Sequence, residues 1–373
     1  MVVQVTTTTF GLTVDEKHLV RVSDYWFVLG RVADGDSTMV YKSDNSLKNV
    51  TSFAGTNLSS LIGLGTYRTG TLGHHDGTLY VARMVGGGSL TAHITKNNDP
   101  VNSIGDANSW HDIEGGTNRY SSVTVTSDYF RIKYVGKWET DGVCFLAGWV
   151  ENSTLRTYYY DGSWHEAVVG TLYHRFGGVT VYNNKMYVSS TRGAGSVPTA
   201  VALVVGSDYK TLDFETSYDP GYTSYCSRPI VDDNGDIWIA FSSTAGGDIK
   251  ILKYSGSFSV YQTISDGGSY LFPYLERDGA GNIYLGARDG SNDYIWKMEP
   301  GSTFQNKTLV YNNGTATVAF EYDTPTASDI MGYLVKDATD TYAYWDYYDV
   351  EPLSLGPNFN NFIGFINGPR GCK

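Results

Sequence analysis

The chain is poor in several features that would settle its class at once. It has three cysteines in 373 residues, too few for a disulfide framework, and no Cys-x-x-Cys or Cys/His spacing suggests a zinc site. No apolar run approaches the roughly 18 residues that a transmembrane helix needs, and the first residues lack the basic-then-apolar layout of a signal peptide. A disulfide-rich scaffold, a zinc domain and a helical membrane protein are therefore disfavoured.

Charge is also scarce, and the balance is acidic. Only 18% of the residues are charged and the net charge is −12, which argues against nucleic acid or an anionic membrane as a partner. No cofactor motif is present, so we expect no cofactor and no metal. Low charge with abundant Tyr, Gly, Thr and Ser is typical of β proteins exposed outside cells or on virions, and we expect an extracellular or virion-surface location. A chain that begins at Met without an export signal suits a virion component.

What the chain does contain is a repeat: a short apolar run, a turn of Asp, Asn and Gly, and an apolar run centred on an aromatic residue. Asp-Gly or Asn-Gly between two apolar runs is a strong hairpin signal, because such turns need positive φ. The copies, from clearest to most degenerate, are residues 228–240, 273–287, 73–82, 179–189, 138–147, 19–29 and 333–345.

The spacing of these turns predicts the architecture. The turns recur every 42 to 65 residues, which fits one four-stranded propeller blade plus its loops, and no long stretch has the 3.6-residue period of a helical repeat. The sequence therefore predicts an all-β, seven-bladed β-propeller of four-stranded antiparallel blades, a single domain over residues 1–373. Because an open ring leaves unpaired strand edges, the N-terminal strand within residues 2–10 is expected to pair into the last blade and close the ring.

In such a propeller the segment before each turn forms the strand nearest the axis, and five of these seven segments begin with a basic residue. Converging arginines would suit the carboxylates or sulfates of a ligand. The predicted ligand-binding residues are Arg68, Arg131, Arg175, Arg228, His74, His174 and Tyr270. The alternative is that the arginines bridge neighbouring blades or stack on aromatic side chains.

One group of these residues also allows catalysis. His174 as general base, Tyr173 as general acid and Arg175 as the partner of a uronate carboxylate would suit β-elimination of an acidic polysaccharide. The aspartates of the turns are better explained as turn formers. Aromatic clusters such as residues 158–160 with Trp164 favour sugar binding, although packing between blades explains many of them.

Residues 231–238, Val-Asp-Asp-Asn-Gly-Asp-Ile-Trp, resemble the Asp-box of sialidase-like propellers, Ser-x-Asp-x-Gly-x-x-Trp, with Val231 in place of Ser. The hairpins also resemble those of NHL-type propellers, whose repeats have the pattern apolar-Asp-x-x-Gly-x-apolar. Propeller-type polysaccharide lyases are similar in having axial His, Tyr and Arg, and phage and viral surface proteins also use propellers. These resemblances imply a fold and leave the activity open.

The sequence favours a non-catalytic, surface-exposed propeller. Its expected role is that of a virion- or tail-associated structural or receptor-binding protein that binds a host glycan or a cell-surface receptor. The alternative is a carbohydrate-active enzyme, a polysaccharide lyase or a sialidase-like glycosidase acting on acidic glycans. A third possibility is a protein-interaction scaffold that uses the rim loops.

Overall fold

The structure is a computed structural model, in which the backbone is described for most of the chain. The described residues are 2–6, 19–31, 37–44, 52–64, 67–85, 91–125, 130–150, 154–171, 175–192, 200–222, 224–290, 292–312, 317–319, 330–336 and 342–348. Nearly all of the regular structure is β-strand, as the sequence predicts, and the strands form antiparallel sheets.

Six of the sheets are blades built from consecutive strands. Blade I contains β2 (Leu19–Val22), β3 (Tyr25–Arg31), β4 (Thr38–Ser43) and β5 (Phe53–Asn57). Blade II contains β6 (Tyr67–His75), β7 (Thr78–Val85), β8 (Thr91–Asn97), β9 (Trp110–His111) and β10 (Ser121–Thr124). Blade III contains β11 (Phe130–Lys137), β12 (Cys144–Val150), β13 (Thr154–Tyr160) and β14 (Trp164–Thr171).

The other three blades follow the same plan. Blade IV contains β15 (Arg175–Tyr182), β16 (Lys185–Arg192), β17 (Ala200–Gly206) and β18 (Phe214–Tyr218). Blade V contains β19 (Ser224–Cys226), β20 (Ile230–Val231), β21 (Ile237–Ser243), β22 (Ile249–Tyr254) and β23 (Phe258–Ile264). Blade VI contains β24 (Tyr270–Arg277), β25 (Ile283–Asp289), β26 (Asn292–Met298) and β27 (Gln305–Asn312).

Two short helices lie in the connections around blade II. Helix α1 (Leu58–Ile62) begins at Asn57, whose side chain accepts a hydrogen bond from the amide of Ser60, and ends at Gly63, which has a φ of 73°. Helix α2 (Pro100–Ser103) follows β8. A side-chain cap at the start and a left-handed glycine at the end are the usual boundaries of a helix.

The turns between the first two strands of the blades lie at the Asp, Asn and Gly residues from which the sequence predicts them. In blade II, Asp76 and Gly77 have φ values of 47° and 76°, and in blade IV, Asn183 and Asn184 have values of 49° and 53°. Such positive values at both central residues define the turn that matches the twist of a two-residue hairpin. The predicted hairpins of these blades are therefore confirmed.

Apolar layers between neighbouring blades make up the core. Five described clusters join the six blades in order, each with side chains from two successive blades. In blade III, Phe130 and Ile132 pack towards blade II, whereas Phe145 and Ala147 pack towards blade IV. Alternate residues of a strand point to opposite faces, so blades II to V are apolar on both faces and each is held between its two neighbours.

The first strands of successive blades contact one another, in the order β2, β6, β11, β15, β19 and β24, and we call these the innermost strands. A methyl group added at Gly73 of β6 would collide with the carbonyl of Val135 in β11, so only glycine permits this approach. Farther round, the hydroxyl of Ser189 donates to the carbonyl of Ser227 over 2.6 Å, a bond between blades IV and V.

The predictions of seven blades and of ring closure by the N-terminal strand require correction. The strands near the chain ends, β1 (Val2–Thr6), β28 (Thr317–Ala319), β29 (Ile330–Lys336) and β30 (Tyr342–Tyr348), also pair, in the order β1-β30-β29-β28. Only their backbone is described, and no described apolar layer packs this sheet as a blade, so we count six blades. The pairing of β1 with β30 joins the end regions of the chain, and closure of the ring by that strand is not part of the described architecture. The seventh blade was inferred from a degenerate repeat whose turn residue, Asp340, lies outside the described residues.

Candidate functional site at the axial face

The innermost strands begin at one face of the propeller, which we call the axial face, and run towards the turns that lead to the second strands. Residues near the ends of neighbouring innermost strands meet each other, as Gly73 and Val135 do, so the strands run in the same direction. The N-terminal residues of β11, β19 and β24 therefore lie at the axial face. The candidate site is built from these residues.

Arg131 is the second residue of β11, and its side chain is half-buried. It lies directly opposite Trp149 of β12, on the face of blade III that also carries Phe145 and Ala147 and is turned towards blade IV. Among the arginines whose side chains the structure describes, Arg131 alone has no hydrogen-bond or ion-pair partner. Those with a partner are Arg21, Arg83, Arg119, Arg156, Arg228, Arg277 and Arg288.

Arg228 has the role given by the alternative interpretation of the basic residues, in which an arginine bridges neighbouring blades. Its guanidinium forms an ion pair with Glu276, which lies on β24 of the next blade. The side chains are 20% and 8% exposed, so the pair is largely buried between blades V and VI. Arg228 is therefore an inter-blade bridge, and its charge is already compensated.

Two aromatic rings lie beside one another at the axial ends of blades V and VI. The centroids of Tyr225 in β19 and Phe272 in β24 are 4.4 Å apart, with the ring planes inclined by 46°. Both residues are partly exposed, and neither belongs to the described apolar cluster between these two blades. The sequence alone places Tyr225 in an aromatic cluster of the kind that stacks on sugar rings and Phe272 beside Tyr270 in an innermost strand, but neither is among the predicted ligand-binding residues.

Tyr270 is buried, so the structure gives it a packing role. Its hydroxyl donates to Asp266 and accepts from the ammonium of Lys307, which also lies 4.1 Å from the ring centroid of Tyr294. Burial and the carboxylate of Asp266 together raise the pKa of Tyr270 to about 12. Burial pushes the pKa of Asp266 upward, but the bonds from Tyr270 and Lys307 outweigh it and hold that pKa below its ordinary value.

The other predicted site residues fall into two groups. Arg68 and Arg175 lie in β6 and β15, but only their backbone is described, and Tyr173 and His174 lie outside the described residues. His74 is half-buried and comes near the end of β6 beside the turn, at the opposite end of that strand from Arg68. The structure therefore does not bring His74 to the axial face together with Arg68.

Two aspartates of the turns, Asp232 and Asp278, are satisfied by local hydrogen bonds. Asp232 accepts from the amides of Asn234 and Asp236, each at 2.9 Å, and from the indole of Trp238 at 3.0 Å. Asp278 is bonded in the same pattern, to residues two, four and six positions ahead. Aligned on the Asp-box, the conserved position of the motif would be Asp233, but this residue pairs with Arg277 instead. The bonding aspartate is thus the one that the pattern apolar-Asp-x-x-Gly selects.

Among the described residues, no group of three or more His, Cys, Asp and Glu side chains is placed to hold a metal ion. The same residues include no helix that is both long and apolar enough to cross a membrane.

Solved structures similar to this chain are propellers. A virginiamycin B lyase from Staphylococcus aureus, solved as a catalytically inactive variant with quinupristin, has a TM-score of 0.58 at 9% identity, with 93% of this chain and 98% of that chain covered. The polysaccharide lyase Uly1 has a TM-score of 0.52 at 12% identity, with 91% of each chain covered. The WD40 propeller domain of Doa1 has a TM-score of 0.51 at 13% identity, with 93% and 97% covered.

The comparisons show the β-propeller fold and no more. The identities are too low to transfer an activity, because one propeller fold carries many unrelated functions. No protein family matches the chain, and no curated protein matches it. The predicted resemblance to propellers is confirmed, whereas the Asp-box or NHL-like type and a phage or viral origin stay predictions.

Proposed function

We propose that the protein is a surface-exposed, non-catalytic propeller that binds an anionic or neutral glycan at its axial face, as a virion- or tail-associated structural or receptor-binding protein. The supporting observation is Arg131. A guanidinium carries five donors and a permanent charge, and here it is half-buried at the start of an innermost strand without a partner among the described residues. Such a group favours an anionic partner from outside the chain, to which it can form charge-assisted hydrogen bonds.

Binding to a fixed set of polysaccharides tests this proposal. We expect the wild-type protein to retain at least one of alginate, hyaluronate, chondroitin sulfate and dextran. If the retained ligand is acidic, Arg131→Gln should weaken binding about tenfold, because one charge-assisted hydrogen bond contributes about 1.5–3 kcal/mol. Arg119→Gln is the matched control, since Arg119 bonds Asn108 over 3.1 Å in the loop region of blade II. Failure of the wild type to retain any of the four, or equal weakening by both substitutions, would contradict the proposal.

The lyase alternative is tested in the same mixtures. Tyr173 and His174 directly precede Arg175 in the sequence, Arg175 is the first residue of β15, and β15 contacts β11, which carries Arg131. A lyase would generate an unsaturated uronate, so the ultraviolet absorbance of the polysaccharide solution would rise and His174→Ala would abolish the rise. A binding protein leaves the absorbance unchanged. The proposed virion setting predicts that the protein co-purifies with particles through a density gradient.

A further inference from the structure

The backbone of Phe272 is in an unusual conformation for its residue type. Its φ is 51°, in the left-handed region that a bulky side chain rarely enters. The next residue is Pro273, and a residue before proline normally adopts an extended conformation. Residues held in such regions are enriched at functional sites, where surrounding contacts hold the strain in place.

The strained residue is also released from strand pairing. The register of β24 with β25 shifts between Leu271, opposite Arg288, and Tyr274, opposite Gly286, so Phe272 and Pro273 have no partner in this ladder. A bulge of this kind redirects a side chain. Here the ring of Phe272 comes to lie against Tyr225 of the neighbouring blade, partly exposed at the axial face.

Packing alone gives little reason for this arrangement, because the two rings lie outside the apolar cluster that joins blades V and VI. A pair of partly exposed rings presents an apolar surface on a face that also carries the uncompensated charge of Arg131. The apolar face of a sugar ring can stack on an aromatic surface while its hydroxyl or acidic groups meet polar side chains, the usual division of labour in a ligand site.

We propose that Tyr225 and Phe272 form an aromatic subsite that stacks on one sugar ring of an acidic glycan, with Arg131 binding an acidic group of the same chain. This inference deepens the proposed function and depends on it. It narrows the ligand to an acidic polysaccharide rather than a neutral one, and it assigns the strain at Phe272 to ligand binding.

Two substitutions at Phe272 separate strain from binding. Phe272→Gly removes the ring and lets the backbone keep its positive φ without strain, whereas Phe272→Ala removes the ring and keeps the strain. We expect Phe272→Gly to melt about 2 °C above Phe272→Ala. Both variants should bind the retained acidic polysaccharide about tenfold more weakly than the wild type, and Phe272→Tyr should restore binding.

Phe258→Gly is the matched control, because Phe258 is also partly exposed and also packs on a tyrosine, Tyr254, at 5.4 Å, but in the outermost strand of blade V. It should leave binding unchanged. If the wild type binds none of the acidic polysaccharides, the proposed function falls and the subsite falls with it. If the wild type binds and Phe272→Gly binds equally well, the aromatic subsite alone is overturned. If Phe272→Gly melts no higher than Phe272→Ala, the link between backbone strain at Phe272 and ligand binding is overturned.

Discussion

Arg131 and Arg228 stand at the inner edge of the same propeller, and the same sequence signal predicted both as ligand-binding residues. The structure separates them. Arg228 is paired with Glu276 across the boundary between blades V and VI, whereas Arg131 in blade III has no described partner. The first arginine is part of the scaffold, and the second remains available.

The difference follows from the residues of the neighbouring strands. Glu276 is the only carboxylate in the innermost strands β2, β6, β11, β15, β19 and β24 or in the short β20. The neighbours of β11, strands β6 and β15, contain no Asp or Glu. Arg228 is thus compensated by an acid on the adjacent innermost strand, whereas the strands on either side of β11 supply no acid to Arg131.

The largest expected effect comes from removing the acid of the paired region. Glu276→Gln leaves the largely buried guanidinium of Arg228 without its counter-charge, which should lower the free energy of unfolding by about 3 kcal/mol. Urea denaturation measures this change, with the exposed Glu139→Gln as control. A loss no larger than that of the control would mean that Arg228 and Arg131 are equivalent.

Asp293 extends the comparison to an acid without a partner. It is fully buried in β26, and neither of its carboxylate oxygens has a hydrogen-bond partner in the structure. Burial raises its pKa to about 8, and Arg288 offsets only part of this rise. The folded state therefore holds the proton of Asp293 more tightly than the unfolded state does. The contribution of this group to the free energy of unfolding is complete below the ordinary pKa of an aspartate and is lost as the pH rises towards 8.

We expect Asp293→Asn to raise the free energy of unfolding by about 2 kcal/mol near pH 7.5 and to change it little near pH 4, because the asparagine stays neutral throughout. Urea denaturation across this pH range measures the effect. Equal effects of the substitution at both ends of the range would show that the carboxyl does not titrate between them.

A smaller effect is expected when both members of the buried pair are replaced together. Arg228→Met combined with Glu276→Met should unfold within about 1 kcal/mol of the wild type, because apolar side chains of similar size avoid the cost of desolvating two charges. The comparison of this double variant with Glu276→Gln isolates the cost of the orphaned charge. A double variant as unstable as the single one would show that Arg228 holds the blades by other contacts.

The smallest effect on stability is expected at Arg131. Arg131→Gln should change the free energy of unfolding by less than about 0.5 kcal/mol, since no described contact is lost. Glycan binding by the wild type should weaken in about 0.5 M salt, because the charge of Arg131 is partly exposed. A large loss of stability in Arg131→Gln would place this arginine with Arg228 in the scaffold.

Local turn chemistry carried most of the successful predictions from sequence. Pairs such as Asp76 with Gly77 and Asn183 with Asn184 tolerate the positive φ that a two-residue hairpin turn needs, so they located the hairpins correctly. The blade count was wrong because repeat counting alone cannot show whether the strands around a degenerate turn pack as a blade: the turn at Asp24 belongs to a blade, whereas no described apolar layer packs the strands around Asp340 as one. The state of the predicted site residues was harder to predict than the blades, since the ion pair of Arg228 depends on Glu276, 48 positions away in the sequence.

Phe272 shows a second limit of reading sequence. The dipeptide Phe272-Pro273 predicts extended backbone, and only the bulge in β24 reveals the left-handed conformation. A conformation that local preference disfavours is set by tertiary contacts, here with Tyr225 of the preceding blade. Sequence pattern therefore predicts which strands lie nearest the axis but does not reveal which of their side chains contact one another.

The bond from Ser189 to the carbonyl of Ser227 has a use for engineers. Thr180 makes a similar bond to the carbonyl of Pro229, over 2.5 Å. Every amino acid has a backbone carbonyl, so these hydrogen bonds between blades do not depend on the side chains of the segment that accepts them. A library that randomises exposed side chains of that segment can therefore change ligand binding while these hydrogen bonds continue to hold the blades together.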